Sequence, residues 1–108
     1  MAFNVTTKMS KNGTAEITLI GELDASVANE FKMAVEKAAT EKVKRLVLNM
    51  RELEFMSSAG LRVLVFAKQK MGTDVDIYII AAQDAVRDTI EMTGFQQSVI
   101  MQDEYRAL

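Results

Sequence analysis

The chain opens with a two-residue period. Ala15, Ile17 and Leu19 alternate with Thr14, Glu16 and Thr18, the pattern of a strand with one wet face. Val5, Thr7 and Met9 give a weaker version of the same pattern. Asn12-Gly13 lies between the two runs, and both residue types tolerate the positive φ angles of a type I′ turn. A β-hairpin is predicted. Beyond Gly21 the period becomes helical. Val27, Ala28, Phe31, Ala34, Val35 and Ala38 fall on one face, Glu30, Lys32, Glu36 and Lys37 mainly on the other, with Asp24 or Ser26 as the cap.

Arg45 to Met50 is a short apolar run without alternation, which predicts a strand buried on both faces in a parallel sheet. Ser57 and Ser58 then precede Leu61, Val63, Leu64, Val65, Phe66 and Ala67, a well-buried helix that Gly72 should stop. Val75 to Ala81 reads as another buried strand. Asp84 is placed to cap a third helix through Ala85, Val86, Ile90 and Met92, ended by Gly94. Ser98 to Met101 gives a short last strand, followed by a helical or frayed tail. This order predicts one α/β domain over residues 1–108: a mainly parallel four- to five-stranded sheet with an N-terminal β-hairpin and helices packed on it. If the second, third and fourth strands are parallel, three loops converge beyond their carboxyl ends. They carry Glu22 and Asp24, then Glu54 to Ser58, then Gln83 and Asp84.

Composition removes most chemistries from this edge. The 108 residues include no Cys, His or Pro, which excludes disulfides, zinc fingers, thiol nucleophiles and Ser-His-Asp triads. A formal net charge of -2, from 13 basic and 15 acidic residues spread along the chain, leaves no basic footprint for nucleic acid. No signal-peptide pattern and no membrane-length apolar run is visible, so a cytoplasmic protein away from membranes is expected. Glu22, Asp24 and Asp84 are surface carboxylates near helix starts and read as caps, so no metal and no cofactor are expected. An enzyme would need Ser58 activated without histidine, and no Gly-x-Ser-x-Gly elbow is present, so no catalytic residue is expected. Most of the eight Met residues sit in periodic core positions or at the chain start; Met56, beside the serines, is the one expected at an interface.

Two hydroxyls at a helix start have two uses. They satisfy the unpaired N–H groups of the first turn, or one of them accepts a phosphate. Arg62 stands four residues after Ser58, on the same helical face, where it can pair with such a phosphate.

Gly21-Glu22-Leu23-Asp24 after a hairpin, followed by Phe55-Met56-Ser57-Ser58-Ala59-Gly60-Leu61, resembles the STAS domain of bacterial anti-sigma factor antagonists. The resemblance spans about residues 4 to 100 in element order as well as motif. The family form is Asp-Ser-(Ser/Thr)-Gly-Leu-Gly, and the serine after the Asp is phosphorylated by an anti-sigma factor serine/threonine kinase. Aligned on Gly60-Leu61, that acceptor falls on Ser58, with Ser57 as the alternative. Ser57 stands where the family has Asp, Ala59 replaces a hydroxyl residue and Arg62 replaces a small Gly.

The resemblance implies partner switching. The unmodified form binds the anti-sigma factor kinase and frees the sigma factor, phosphorylation at Ser58 abolishes binding, and a serine phosphatase restores it. Glu22, Asp24, Met56, Ser57, Ser58, Arg62 and Asp84 are the expected partner-binding residues. The alternative is a constitutive STAS scaffold or accessory subunit of a signalling or transport complex, indifferent to phosphorylation.

Overall fold

A computed structural model describes residues 3–10 and 12–105. The elements run β1 (Asn4–Met9), β2 (Thr14–Leu23), α1 (Ala28–Thr40), β3 (Arg45–Met56), α2 (Ser58–Met71), β4 (Asp76–Ile80), α3 (Asp84–Met92), a 3-10 turn (Phe95–Ser98) and β5 (Ile100–Gln102). The five strands lie in sequence order, β1 antiparallel to β2 and every later pair parallel. This is the predicted mainly parallel sheet with an N-terminal hairpin. Of the expected tail, residues 106–108 lie outside the described residues, and residues 103–105 are not helical.

Strand order dictates where the core sits. Each parallel strand is added on the same side of the previous one, so right-handed crossovers bring all three helices to one face of the sheet. There Ile17 and Leu19 of β2, Leu46, Leu48 and Met50 of β3, and Ile77 and Ile79 of β4 meet Phe31, Val35, Leu64, Val86 and Ile90 from the helices. Full burial stabilises each such side chain by about 1.5–3 kcal/mol, so this single layer supplies most of the fold's apolar stabilisation. The expectation that β3 is buried on both faces holds at Leu46, Val47 and Leu48, but helices cover only one of the two. Val47 is only 1% exposed but lies outside the helix-side cluster. On its side no helix lies among the described residues, and Tyr105, packed edge-on against Tyr78 at 5.0 Å, borders the same cleft as Val47.

Local chemistry corrects two boundaries. The hairpin does not close through a two-residue type I′ turn: three residues separate the paired Ser10 and Thr14, and of these Gly13 has φ of 82°. Gly13 N–H donates to Ser10 O at 3.3 Å and Ser10 N–H to Thr14 O at 2.9 Å, so a β-turn leads into one left-handed glycine. Helix α1 starts later than Asp24 or Ser26 suggested, with Val27 at its N-cap and no side-chain cap; the hydrogen bonds of Asp24 shape the preceding turn instead. Helix α3 runs to Met92 as expected, with Val86 and Ile90 on its buried face and Met92 itself 86% exposed.

Candidate functional site

Strand β3 runs on to Met56, so Glu54, Phe55 and Met56 are strand, not loop, and Ser57 alone separates it from α2. Two register shifts against β2, between Thr18 and Ile20 and between Gly21 and Glu22, each insert one extra residue on β3. The inserted residues change the burial period. Met50, Leu53 and Met56 are buried at intervals of three, and the pairs between them face outward. Gly21, with φ of 96°, supplies the left-handed backbone beside the second shift. Re-registered in this way, Leu23 pairs with Met56 and its carbonyl accepts from Ser57 N–H at 2.9 Å. The Gly-Glu-Leu-Asp segment thereby holds the serine pair from below.

The two serines divide the work that their sequence positions left open. Ser57 is the N-cap, with extended backbone (φ −81°, ψ 172°) and a half-buried Oγ accepting from Gly60 N–H at 3.3 Å. Ser58 is the first helical residue. It is exposed, and its hydroxyl makes no hydrogen bond among the described residues. Gly60 explains why the helix can start so close to β2. A Cβ there would stand 2.8 Å from both Cγ and Cδ2 of Leu23 and 3.1 Å from Cγ of Met56. Only hydrogen fits between the first turn of α2 and the strand.

Met56 is not at a surface. It is 2% exposed, packed in the core beneath that first turn, and the expectation that it contacts a partner is wrong. Its neighbour Phe55 is the exposed hydrophobe of the site, at 46%. Phe55 is the register partner of Glu22, so the two side chains stand side by side across β2 and β3. The sequence held a signal for Phe55 in its motif position, but simple alternation could not choose between Phe55 and Met56. The two inserted residues decide it.

Asp24 accepts from Ser26 N–H at 2.9 Å and from Ser26 Oγ at 2.6 Å. Hydrogen bonds from Ser26 to the charged carboxylate hold its pKa below the usual value. Arg62 is exposed one turn along α2 and has no carboxylate partner among the described residues. Asp84 does not join the group. Strand β4 ends at Ile80, level with Asn49, and Gln83 Nε2 donates to the Arg51 carbonyl at 2.9 Å. Arg51 precedes Met56 by about 16 Å at a strand rise of 3.3 Å per residue. Nor does Asp84 cap α3 with its side chain; Gln83 holds the N-cap position and Asp84 begins the first turn. Among the described residues no group of three or more His, Cys, Asp or Glu is arranged to hold a metal ion.

The STAS domain family model matches residues 7–107. The chain belongs to the STAS domain family. The anti-sigma-F factor antagonist RsfB of Mycobacterium tuberculosis is 26% identical over 87 residues, 81% of this chain and 71% of that protein. In structure this STAS domain is similar to an anti-sigma factor antagonist from Mycobacterium paratuberculosis, with a TM-score of 0.87 and 21% identity over 95% of this chain and 87% of that one. It also resembles the phosphorylated form of the Bacillus cell fate determinant SpoIIAA, with a TM-score of 0.70 and 19% identity over 93% and 90% of the two chains. These two likenesses concern the fold. No helix of this STAS domain, among the described residues, is long and apolar enough to cross a membrane.

Proposed function

We propose that this STAS domain is an anti-sigma factor antagonist that works by partner switching in the cytoplasm. Unmodified, it binds an anti-sigma factor serine/threonine kinase, which then releases its sigma factor; phosphorylated at Ser58, it lets go, and a serine phosphatase resets it. It acts as a regulatory binding module and as the kinase's substrate, not as a catalyst.

The observation that carries this reading is the division between the two serines. Ser57 Oγ is committed to the cap, whereas Ser58 Oγ is exposed and unpaired on a rim it shares with exposed Phe55. Anti-sigma factor antagonists among its relatives, and a phosphorylated SpoIIAA of the same fold, support it. The partner-binding surface comprises Ser58, Phe55, Glu22, Asp24 and Arg62, with Ser57 supporting it from the cap; Met56 and Asp84 drop out.

A phosphate adds about 1.5 to 2 negative charges at neutral pH. Glu22, Asp24 and Glu54 already make the neighbouring chain acidic. A partner fitted to the unmodified surface must therefore accept a new, solvated dianion in a closed contact. About 3 kcal/mol of opposition lowers affinity roughly a hundredfold, which is enough for a switch. The test is mass spectrometry after incubation with the anti-sigma factor kinase and ATP, in wild type, Ser57→Ala and Ser58→Ala. Phosphate on Ser58 in the first two and none in the third is expected. Modification of Ser57 alone, or none, overturns the reading. A phosphorylated protein that still bound its partner with unchanged affinity would instead be a constitutive scaffold.

A further inference from the structure

Arg62 is the sole cationic residue in the two segments that build the site, residues 21–26 and 54–62, which also carry Glu22, Asp24 and Glu54. It is exposed, and no acidic group among the described residues pairs with it. Long side chains on a helix lean back over the preceding turn toward the N-terminus. Residues four apart on a helix have Cβ atoms about 5–6 Å from each other. The guanidinium of Arg62 therefore sweeps the space outside Ser58 Oγ, a hydroxyl with no hydrogen bond of its own.

We propose that Arg62 is the counter-ion of the phosphate on Ser58, a role that rests on the phosphorylation reading above. Its planar fork of donors matches two phosphate oxygens, an acceptor pair that a neutral hydroxyl at position 58 does not offer. The pair exists only after modification. Phosphorylation then changes the surface twice: it adds a dianion, and it withdraws the site's one cation from the partner. Arg62 stands where the typical STAS motif has a small glycine, which has no side chain to act as a counter-ion. It also follows that Ser58→Asp, with one charge on a shorter arm, copies the modified state poorly.

The experiment installs phosphoserine at position 58 of the full chain by genetic-code expansion, so that it needs no kinase. The second phosphate pKa is then read by 31P NMR titration in the Arg62, Arg62→Lys and Arg62→Gln proteins. An exposed pair of this kind should hold the wild-type value about half a unit below that of Arg62→Gln. Arg62→Lys should fall between them, and the difference should collapse near 1 M salt, where the Debye length is about 3 Å. Equal pKa values in wild type and Arg62→Gln overturn the proposal. Because the phosphate is placed genetically, that failure is distinct from a kinase that never modifies Ser58, which is read by mass spectrometry alone.

Discussion

Gly60→Ala adds a single methyl group at the tightest contact of the site. The new Cβ would lie 2.8 Å from Leu23 Cγ and Cδ2, closer than carbon atoms approach, and 3.1 Å from Met56 Cγ. Leu23 is fully buried and cannot swing outward, so α2 or β2 must shift. Overpacking of this kind costs about 1–3 kcal/mol. Gly60 has no positive φ, so alanine is conformationally allowed there, and its better helix propensity returns at most about 1 kcal/mol. The net expectation is a loss of about 1–2 kcal/mol. At an unfolding entropy of roughly 2.1 cal/mol/K per residue, a chain of 108 residues should lose about 4–9 °C in Tm. The assay is reversible thermal or urea unfolding, with Leu23→Ala and the double variant completing a cycle. Leu23→Ala alone should cost about 2–5 kcal/mol, and in its background Gly60→Ala should cost at least about 1 kcal/mol less than it does alone. A Gly60→Ala protein with unchanged or raised Tm, or additive behaviour in the cycle, would refute the close-approach argument.

Three further outcomes follow from the same geometry. Ser57→Ala should lower stability by about 1 kcal/mol through loss of the cap, whereas Ser58→Ala should stay within about 0.5 kcal/mol of wild type in urea unfolding; the reverse order would reassign the two hydroxyls. Met56→Ala should cost about 2–5 kcal/mol, while Phe55→Ala should leave unfolding nearly unchanged and weaken kinase binding at least about tenfold by calorimetry, and intact binding would remove Phe55 from the interface. The Asp24 carboxyl should titrate below the ordinary aspartate value of 3.8, and Ser26→Ala should bring it back toward that value, measured by carboxyl 13C NMR. Because the folded pKa is depressed, the stabilisation it reflects is fully present above pH 3.8 and is lost as pH falls through the folded value. A wild-type midpoint at or above 3.8 would contradict the hydrogen bonds from Ser26.

Much of the architecture was legible because it is periodic. The two-residue alternation of Ala15, Ile17 and Leu19 and the helical spacing of Phe31, Val35 and Ala38 each depend on neighbours along the chain, and those residues are buried as their period requires. Gly72 and Gly94 end their helices with positive φ, as glycine's freedom allows. The absence of Cys and His is likewise a property of the chain alone, and it removes thiol and imidazole chemistry and zinc fingers before any folding is considered. So too the serine motif: its residues and spacing pointed to the family that the match over residues 7–107 establishes.

What one strand does to another cannot be read that way. The two residues inserted in β3 arise from its register with β2, and they decide that Phe55 faces out while Met56 is buried. Strand length decided that Asp84 sits near Arg51 instead of beside Ser58, since β4 ends seven residues earlier along β3 than β2 does. The choice between Ser57 and Ser58 rested on a one-residue difference in where α2 begins, fixed by the Leu23 carbonyl that holds Ser57 and by the space that only Gly60 can occupy. A chain specifies local periods through its own side chains; which hydroxyl is left free depends on contacts between segments more than thirty residues apart, and those exist only once the sheet has formed.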